Sequence, residues 1–209
     1  MHRANPDTLG LNDPEFQAVV RVAADSIVPP EKLLRLYKAA LQALPLNGVW
    51  YECGVYKGGS AMLLAETIRR SGKIVELHVF DTFSGMPFSG EHDRHAEGTF
   101  GDVSYEAVVN KFAGYQDVYF HAGVIPATFT SRRSDRIAFA YLDVDQEQSA
   151  RDCLEFVWPR VVVGGIVVID DYDWPWCPGI KPVVDSFFRE RGVTFHVHPN
   201  CQVEVPKES

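Results

Sequence analysis

The stretch VWYECGVYKGGS, residues 49–60, joins a predicted strand to a predicted helix through a glycine-rich turn. The strand, Val49 to Cys53, carries Glu52 near its carboxyl end, and the turn Gly54 to Gly59 leads into a helical pattern after Ser60. Glycine lets the backbone approach a ligand closely. The spacing is not G-x-G-x-x-G, which disfavours a nicotinamide pyrophosphate site. Glu52 suits a ligand that carries an ammonium group better than one that carries phosphates.

Apolar runs of strand length recur along the rest of the chain, and helical patterns separate most of them. The predicted strands are Val49 to Cys53, Ile74 to Phe80, Val118 to His121, Ile137 to Leu142, Val161 to Ile169, Val193 to His198 and Gln202 to Val205. Alternating strands and helices predict a parallel sheet with helices on both faces. Only Pro199-Asn200-Cys201 separates the last two runs, which is too short for a parallel crossover. The prediction is therefore a Rossmann-like α/β fold with a seven-stranded, mostly parallel sheet, helices on both faces and an antiparallel last strand, an arrangement that by fold-level analogy resembles the methyltransferase variant of the Rossmann fold.

Residues 1–45 are predicted to form an N-terminal helical arm, and residues 46–209 a single domain. Asp13-Pro14 has the cap-then-proline start of a helix, and Pro29-Pro30 breaks the chain before the next helix. Apolar residues at helical spacing predict one buried stripe on this second helix: Leu33, Leu36, Tyr37, Ala40, Leu41 and Leu44. Such an arm allows for a homo-oligomer.

The composition disfavours several classes of function. The 209 residues are 46% hydrophobic and carry a net charge of −8. This charge gives no general attraction to nucleic acid or an anionic membrane, so a small-molecule partner is expected. The cysteines, Cys53, Cys153, Cys177 and Cys201, form no C-x-x-C pair and are expected to be reduced thiols. The chain shows no signal-peptide pattern and no apolar run of membrane length, and a cytoplasmic protein is expected.

Acidic residues follow three further predicted strands. Asp81 ends the second strand, where a carboxylate can accept hydrogen bonds from both hydroxyls of a ribose. Residues 143–145, DVD, and then Asp170 and Asp171 follow two strands that should be neighbours in the sheet. Converging carboxylates repel one another unless a cation joins them, and ligation by oxygen alone suits Mg²⁺. Because consecutive strand residues face opposite ways, Asp170 and Asp171 can converge only if their strand ends between them.

Together these motifs resemble the macrocin O-methyltransferase family, whose members methylate sugar hydroxyls of macrolide antibiotics. The resembling stretches are GVWYECGVYKGGSAMLLAETI (48–68), VFDTFSGMP (79–87), GTFGDVSYEAVVNKF (98–112), HAGVIPATF (121–129), LDVD (142–145) and PRVVVGGIVVIDDY (159–172). The resemblance implies that residues 46–209 are an S-adenosylmethionine-dependent methyltransferase domain.

The resemblance also implies a set of site residues. The methionine end of S-adenosylmethionine would contact Glu52, Cys53, Gly54, Gly58 and Ser60. Its ribose would contact Asp81 and Thr82, and its adenine would contact the loop at Ala122 and Gly123. Asp143 would contact the cofactor beside the metal. Asp143, Asp170 and Asp171 match the family positions for Mg²⁺ or a similar divalent cation.

The expected reaction is methyl transfer to a hydroxyl of a small molecule of the sugar or natural-product type. The metal would stabilise the developing alkoxide, and alignment with the methyl group would supply effective molarity. Related catechol-type enzymes place a lysine three residues beyond the first metal aspartate, but Gln146 occupies that position here. Asp143 and Asp145 are therefore the candidate catalytic residues, and our hypothesis is that Asp143 both binds metal and takes the proton. His121 is expected to be an ordinary strand-end residue.

Two loops and two rival functions stay open. Residues 173–179, DWPWCPG, offer aromatic faces that could stack on an acceptor, act as a lid, or pack against the arm or a second subunit. Residues 84–101, rich in histidine and acidic residues, are expected to form a mobile, solvated cover. The DVD motif also fits a metal-dependent nucleotide-sugar glycosyltransferase, although the chain lacks a concentrated basic site for a diphosphate. The other rival is a non-catalytic module that binds S-adenosylmethionine.

Overall fold

The computed structural model describes residues 10–209, so the first nine residues of the predicted arm lie outside the described residues. One seven-stranded sheet has the order β3-β2-β1-β4-β5-β7-β6. Its strands are β1 (Val49–Cys53), β2 (Leu77–Asp81), β3 (Val118–Ala122), β4 (Ile137–Leu142), β5 (Val161–Ile169), β6 (His196–Val197) and β7 (Val203–Pro206). Strands β1 to β5 pair in parallel, and β7 runs antiparallel to both β5 and β6. The predicted fold class and the antiparallel last strand are confirmed.

Helices cover both faces of the sheet. They are α1 (Pro14–Val20), α2 (Pro30–Ala43), α3 (Gly59–Ser71), α4 (Tyr105–Lys111), α5 (Glu147–Val157) and α6 (Ile180–Arg189), with short 3₁₀ turns at Arg21–Ala23, Ala127–Arg132 and Trp158–Arg160. One hydrophobic core lies between the sheet and α1 to α4, and the other between the sheet and α5 and α6. Neighbouring residues of β1 enter opposite cores, since Trp50 lies in the first and Tyr51 in the second. Within residues 10–209, none of the helices combines the length and the apolarity of a membrane span.

Strand ends differ from the prediction where the sheet offers no neighbour. The second strand was predicted from Ile74, but β2 pairs with β1 only from Leu77 onward, and Ile74 is 90% exposed. The sixth strand shrinks to His196–Val197, which lie at the sheet edge and pair with β7 alone. Runs of apolar residues predicted where these strands lie, whereas backbone pairing with a neighbouring strand defines where each strand begins and ends.

The N-terminal helices start as predicted. The Asp13 carboxylate accepts hydrogen bonds from the backbone N–H groups of Glu15 and Phe16, which caps α1. Helix α2 begins at Pro30. Its buried residues are Leu33, Leu34, Leu36, Ala39, Ala40 and Ala43, whereas the predicted Leu41 is 41% exposed, so that assignment was wrong. The division at residue 45 stays a prediction, although α2 lies within the core beneath the sheet.

The carboxyl ends of β1 and β4 meet at Gly54 with no room for a side chain. Gly54 has a φ of +83°, and a Cβ there would lie 1.7 Å from the backbone oxygen of Asp143. The Asp143 N–H donates to the Cys53 oxygen at 2.8 Å, and the Gly54 N–H donates to the Phe80 oxygen at 2.9 Å. This close approach fixes the glycine turn against the first acidic residue of the DVD motif.

We predict that Gly54→Ala strongly destabilises the protein, because the new Cβ must displace backbone and the positive φ adds strain. The free energy of unfolding in urea should fall by at least about 3 kcal/mol. Gly114→Ala is the matched control, since a Cβ at Gly114 meets nothing within 4 Å. A Gly54→Ala protein as stable as the control would contradict this account of the strand ends.

Candidate active site

A cavity of about 650 Å³ opens at the carboxyl ends of β1, β2, β4 and β5. Its walls come from the glycine turn, the segment Asp25 to Lys32, the loop Gly85 to Phe100 and the loop Trp174 to Cys177. Ligands of open α/β sheets bind beyond the carboxyl ends of the strands, and this volume is typical of small-molecule sites. The cavity therefore lies where the fold is expected to hold its ligands.

Most of the predicted site residues line this cavity. Those that do are Gly54, Ser60, Asp81, Thr82, Gly123, Asp143, Asp145, Asp170 and Asp171, and those that do not are Glu52, Cys53, Gly58 and Ala122. Glu52 and Cys53 are buried within β1, and Gly58 faces Val108 of α4. The individual roles assigned to these residues stay predictions.

The Asp81 carboxylate holds the glycine turn in place. Its Oδ2 accepts hydrogen bonds from the N–H groups of Val55 at 2.7 Å and Tyr56 at 2.9 Å, and its Oδ1 accepts one from Phe83 N–H at 2.7 Å. A carboxylate has about four acceptor positions, so capacity remains for a ligand hydroxyl. Asp81 thus links the end of β2 to the turn after β1, a role that sequence reasoning did not foresee.

Glu52 lies fully buried behind Ser60 with half of its carboxylate unpaired. Its Oε1 accepts a 2.6 Å hydrogen bond from the Ser60 hydroxyl, while Oε2 has no partner among the described residues. Burial raises the pKa of Glu52 to about 8, since the Ser60 hydrogen bond only partly opposes it. An unpaired buried carboxyl group behind Ser60 fits a cationic group of a ligand, and this role of Glu52 stays a prediction.

Three carboxylates of the cavity converge on one point. Asp143, Asp145 and Asp171 each offer an oxygen, and these oxygens all lie within 4.8 Å of one another. Burial raises the pKa of Asp143 well above its usual range, and the charges of Asp170 and Asp145 add to the effect. Burial and then the charge of Asp171 raise the pKa of Asp145 in the same way. Such a group is stable only with shared protons or a shared cation, and its donor set of oxygens fits a hard divalent ion.

Asp170 differs from the other three aspartates, because hydrogen-bond donors of the protein already surround it. Its Oδ1 accepts from Lys32 and from the Asp171 N–H, and its Oδ2 accepts from Tyr141 and, at 3.4 Å, from Gln202. The predicted metal set was Asp143, Asp170 and Asp171. The group of carboxylates that converges in the structure contains Asp145 in place of Asp170. Which of the four aspartates ligate a metal stays a prediction. Asp143, Asp145, Asp170 and Asp171 are hereafter the acid cluster.

The backbone around the cavity is strained, as is common at functional sites. Within residues 10–209, five of the eight non-glycine residues with positive φ line the cavity: Tyr56, Phe100, Asp145, Asp171 and Cys201. Strand β5 ends at Ile169, and Asp171 has a φ of +59°. This turn lets Asp170 and Asp171 approach the same region, and the strand ends one residue before the expected point between the two aspartates.

Lys32 of α2 is the site residue that sequence reasoning missed. Its ammonium binds Asp170 and lies 2.8 Å from Asp171 Oδ1, and its side chain is only 12% exposed. Burial opposes the charged form, but the charges of Asp170 and Asp171 outweigh it and raise the pKa of Lys32 above its usual value. Charge balance is the signal that could have found it, because acids gathered at strand ends require a cation.

The loop of residues 84–101 is held to the DVD motif by specific hydrogen bonds. The buried Gln146 amide donates to the Phe88 oxygen, and the Glu147 N–H donates to Asp93 Oδ1 at 2.9 Å. His95 lies with Asp145 and Cys177 in a second group whose donor atoms are within 4.8 Å of one another. This loop, expected to be a solvated cover, thus contributes a wall of the cavity, and the side chains of Asp93 and Gln146 fix its position.

Trp174 and Trp176 face the mouth of the cavity beside the acid cluster. They are 44% and 57% exposed, and the ring centroid of Trp174 is 5.9 Å from the Lys32 ammonium. His121, by contrast, stacks on Phe80 with ring centroids 4.4 Å apart and does not line the cavity. Burial lowers the pKa of His121 to about 4, which fits its expected structural role.

Comparison with known proteins identifies the family. The family model described as Macrocin-O-methyltransferase (TylF) matches residues 24–201. The chain belongs to this family. A demethyldecarbamoylnovobiocin O-methyltransferase of Streptomyces niveus is 32% identical over 149 residues, which are 65% of this chain and 56% of the relative. An 8-demethyl-8-(2,3-dimethoxy-α-L-rhamnosyl)-tetracenomycin-C 4'-O-methyltransferase of Streptomyces olivaceus is 33% identical over 134 residues, 58% of this chain and 51% of the relative. The chain spans about half the length of these curated relatives.

Solved structures of the same fold support the sheet topology of this family member. The O-methyltransferase NovP superposes with a TM-score of 0.78 at 24% identity, covering 88% of this chain and 82% of NovP. The calicheamicin methyltransferase CalS11 gives a TM-score of 0.71 at 20% identity, covering 98% of this chain and 94% of CalS11. At these identities the likeness shows the fold alone.

We predict that Glu52 makes the ligand-free protein less stable as the pH rises from about 5 to 8. The folded-state pKa of about 8 lies above the ordinary value of 4.5, so in this window the folded protein holds a proton that the unfolded chain releases. Between pH 6 and pH 8, wild type should lose about 2 kcal/mol more unfolding free energy in urea than Glu52→Gln. The exposed Glu106→Gln should retain the wild-type profile, and a Glu52→Gln profile parallel to wild type would refute the prediction.

Proposed function

We propose that this protein is an S-adenosylmethionine-dependent O-methyltransferase that methylates a hydroxyl of a sugar-type natural product with the help of Mg²⁺ or a similar divalent ion. The observation that carries the proposal is the single cavity in which a glycine turn, backed by a half-unpaired Glu52, adjoins a converging group of carboxylates. One half fits a cationic methyl donor and the other half fits a hard cation beside an acceptor hydroxyl.

The names of relatives support the acceptor class. Two matching proteins are named for a 4'-O-methylation of a rhamnosyl tetracenomycin and a 3''-O-methylation of mycinamicin III, the latter in Micromonospora griseorubida. A third acts on demethyldecarbamoylnovobiocin. A small natural product that carries a sugar hydroxyl is therefore the acceptor class that we propose for this chain.

At the cofactor side, this chain supplies position and charge. S-adenosylmethionine, when bound, supplies the electrophilic methyl group, and a divalent ion, when bound, lowers the pKa of the acceptor hydroxyl. The buried Glu52 would become the counter-ion of the methionine ammonium, and Ser60 would orient Glu52 through their 2.6 Å hydrogen bond. Asp81 would bind the ribose while holding the turn through Val55 and Tyr56.

At the acceptor side, the acid cluster would hold the metal and accept the proton. Asp143, Asp145 and Asp171 offer the converging oxygens. The backbone of Asp143 contacts Cys53 and Gly54, where β1 leads into the glycine turn. Asp143 therefore adjoins both halves of the cavity. We keep Asp143 as the group that takes the hydroxyl proton and Asp145 as the second candidate. Trp174 and Trp176 would provide aromatic surfaces for the acceptor.

The rival glycosyltransferase function would need cations for a nucleotide diphosphate. Two lysines line the cavity within the described residues, and both are paired: Lys32 with Asp170 and Asp171, and Lys57 with Asp102 at 2.7 Å. Seven aspartates and glutamates line the same cavity: Asp25, Glu31, Asp81, Asp143, Asp145, Asp170 and Asp171. This balance of charge favours a cationic donor over a diphosphate donor.

The direct test is ligand binding followed by turnover. Calorimetry should show binding of S-adenosylhomocysteine and no binding of UDP. With S-adenosylmethionine and a panel of glycosylated natural products, mass spectrometry should detect a product heavier by one methylene, formed with Mg²⁺ and lost with excess EDTA. Binding of UDP in place of S-adenosylhomocysteine would overturn the proposal in favour of glycosyl transfer. Tight cofactor binding without methyl transfer to any hydroxyl compound would favour the non-catalytic module.

We predict that Asp143→Asn lowers kcat by about 100-fold or more even at saturating Mg²⁺, because an amide cannot take the proton. Asp145→Asn removes one charge from the same cluster and serves as the matched variant, with a smaller loss of kcat. Steady-state kinetics over a Mg²⁺ titration separates loss of metal affinity from loss of the chemical step. An Asp143→Asn enzyme with normal turnover would show that Asp143 is not the base.

A further inference from the structure

Lys32 gives the acid cluster a cation that belongs to the chain itself. It enters from the first turn of α2, far from the cluster in sequence, and its ammonium bonds to both Asp170 and Asp171. The lysine side chain is mostly buried, and Asp170 is 3% exposed. Removing one partner of such a buried ion pair strongly destabilises a protein, because the other charge is left buried without a counter-ion. The contact between Lys32 and the two aspartates is therefore a constant part of the site.

The two oxygens of Asp171 face different partners. Oδ1 lies 2.8 Å from the Lys32 ammonium, whereas Oδ2 accepts a hydrogen bond from the Cys177 thiol at 3.2 Å. The same thiol lies 3.4 Å from Asp145 Oδ1. Asp171 is therefore shared between a side occupied by the lysine and a side that faces Asp145. Asp170 belongs wholly to the lysine side, where protein donors surround both of its oxygens.

We propose that Lys32 is a positioning residue that sets the metal affinity of the acid cluster, its ammonium competing with a divalent cation for Asp170 and Asp171. This inference rests on the metal dependence in the proposed function. Lys32 neutralises part of the cluster before any metal binds and repels a second cation at short range. The consequence is a site that binds a divalent ion more weakly than four aspartates alone would.

The test measures metal binding without turnover. Full-length protein is stripped with EDTA, loaded with S-adenosylhomocysteine and titrated with Mn²⁺, while the free ion is followed by electron paramagnetic resonance. Lys32→Met should bind Mn²⁺ roughly tenfold or more tightly than wild type, because one positive charge close to the site is removed. Lys32→Arg keeps the charge and should bind as wild type does. Mn²⁺ should also raise the Tm of Lys32→Met by more than it raises that of wild type.

The matched control is Lys111→Met. Lys111 pairs with Asp25 at 2.8 Å and donates to the Lys57 oxygen, so it also ties the segment before α2 to the body of the protein, but it does not line the cavity. Its Mn²⁺ affinity should equal that of wild type. Lys32→Gln is the second neutral variant, in case Lys32→Met does not fold, and it should also bind Mn²⁺ more tightly.

The outcomes separate the inference from the proposed function. Equal or weaker Mn²⁺ binding by Lys32→Met and Lys32→Gln, with wild type still binding Mn²⁺, would overturn the role of Lys32 and leave the methyltransferase proposal intact. Tighter binding by Lys32→Arg or Lys111→Met to the same extent would also overturn it, since charge at residue 32 would then not be the cause. Absence of Mn²⁺ binding in every variant would refute the metal itself, while S-adenosylhomocysteine binding would still report on the cofactor half.

Discussion

Electrostatic repulsion among four carboxylates at the ends of β4 and β5 is the constraint around which this site is organised. The strands are adjacent and parallel, so their carboxyl ends bring Asp143, Asp145, Asp170 and Asp171 to one edge of the sheet. Buried like charges raise one another's pKa unless hydrogen bonds or cations offset them. The protein's hydrogen-bond donors are shared unequally: Asp170 accepts from four, whereas Asp143, Asp145 and Asp171 converge with fewer, yet burial still raises the pKa of Asp170 while Lys32 lowers that of Asp171. The inequality divides the cluster into a side held by protein donors, at Asp170, and a side where Asp143 and Asp145 converge, with Asp171 shared between them.

Backbone contacts connect that cluster to the glycine turn on the other side of the cavity. Gly54 packs its Cα directly against the Asp143 carbonyl, and the Asp143 N–H donates to Cys53. Asp81 in turn fixes the residues after Gly54 through two backbone N–H groups. These contacts hold the glycine turn and the first acidic strand end together, and under the proposed function a methyl donor over the turn and an acceptor beside the acids would keep a fixed separation. Alignment of this kind is a large part of the catalysis of a displacement reaction.

The sequence predicted the order of the elements and the direction of the last strand, because these follow from local pattern, and nine of the thirteen predicted site residues line the cavity. Hydrophobic runs locate β1, β4 and β5, and their acidic ends are readable since parallel strands share one carboxyl edge. Contacts between residues distant in sequence were not readable. Lys32 lies 138 positions from Asp170, and the hydrogen bond from Gln146 to Phe88 spans 58 positions. The helical pattern also placed Leu41 on the buried face of α2, which was wrong. The elements that pack against α2 determine which face is buried, and that face carries three alanines.

The segment before α2 shows how far the site extends beyond the strand ends. The family match begins at residue 24, and the cavity wall formed by Asp25 to Lys32 begins at the next residue. A Cβ at Gly59 would lie 2.4 Å from Ser26, so this wall rests directly on the glycine turn. The predicted helical arm ends at residue 45, before the glycine turn, but the contacts place the wall and the turn in one site. A glycine at residue 59 then has two reasons to be there: it opens α3 beside the cavity, and it leaves room for the backbone that carries Lys32 to the acids.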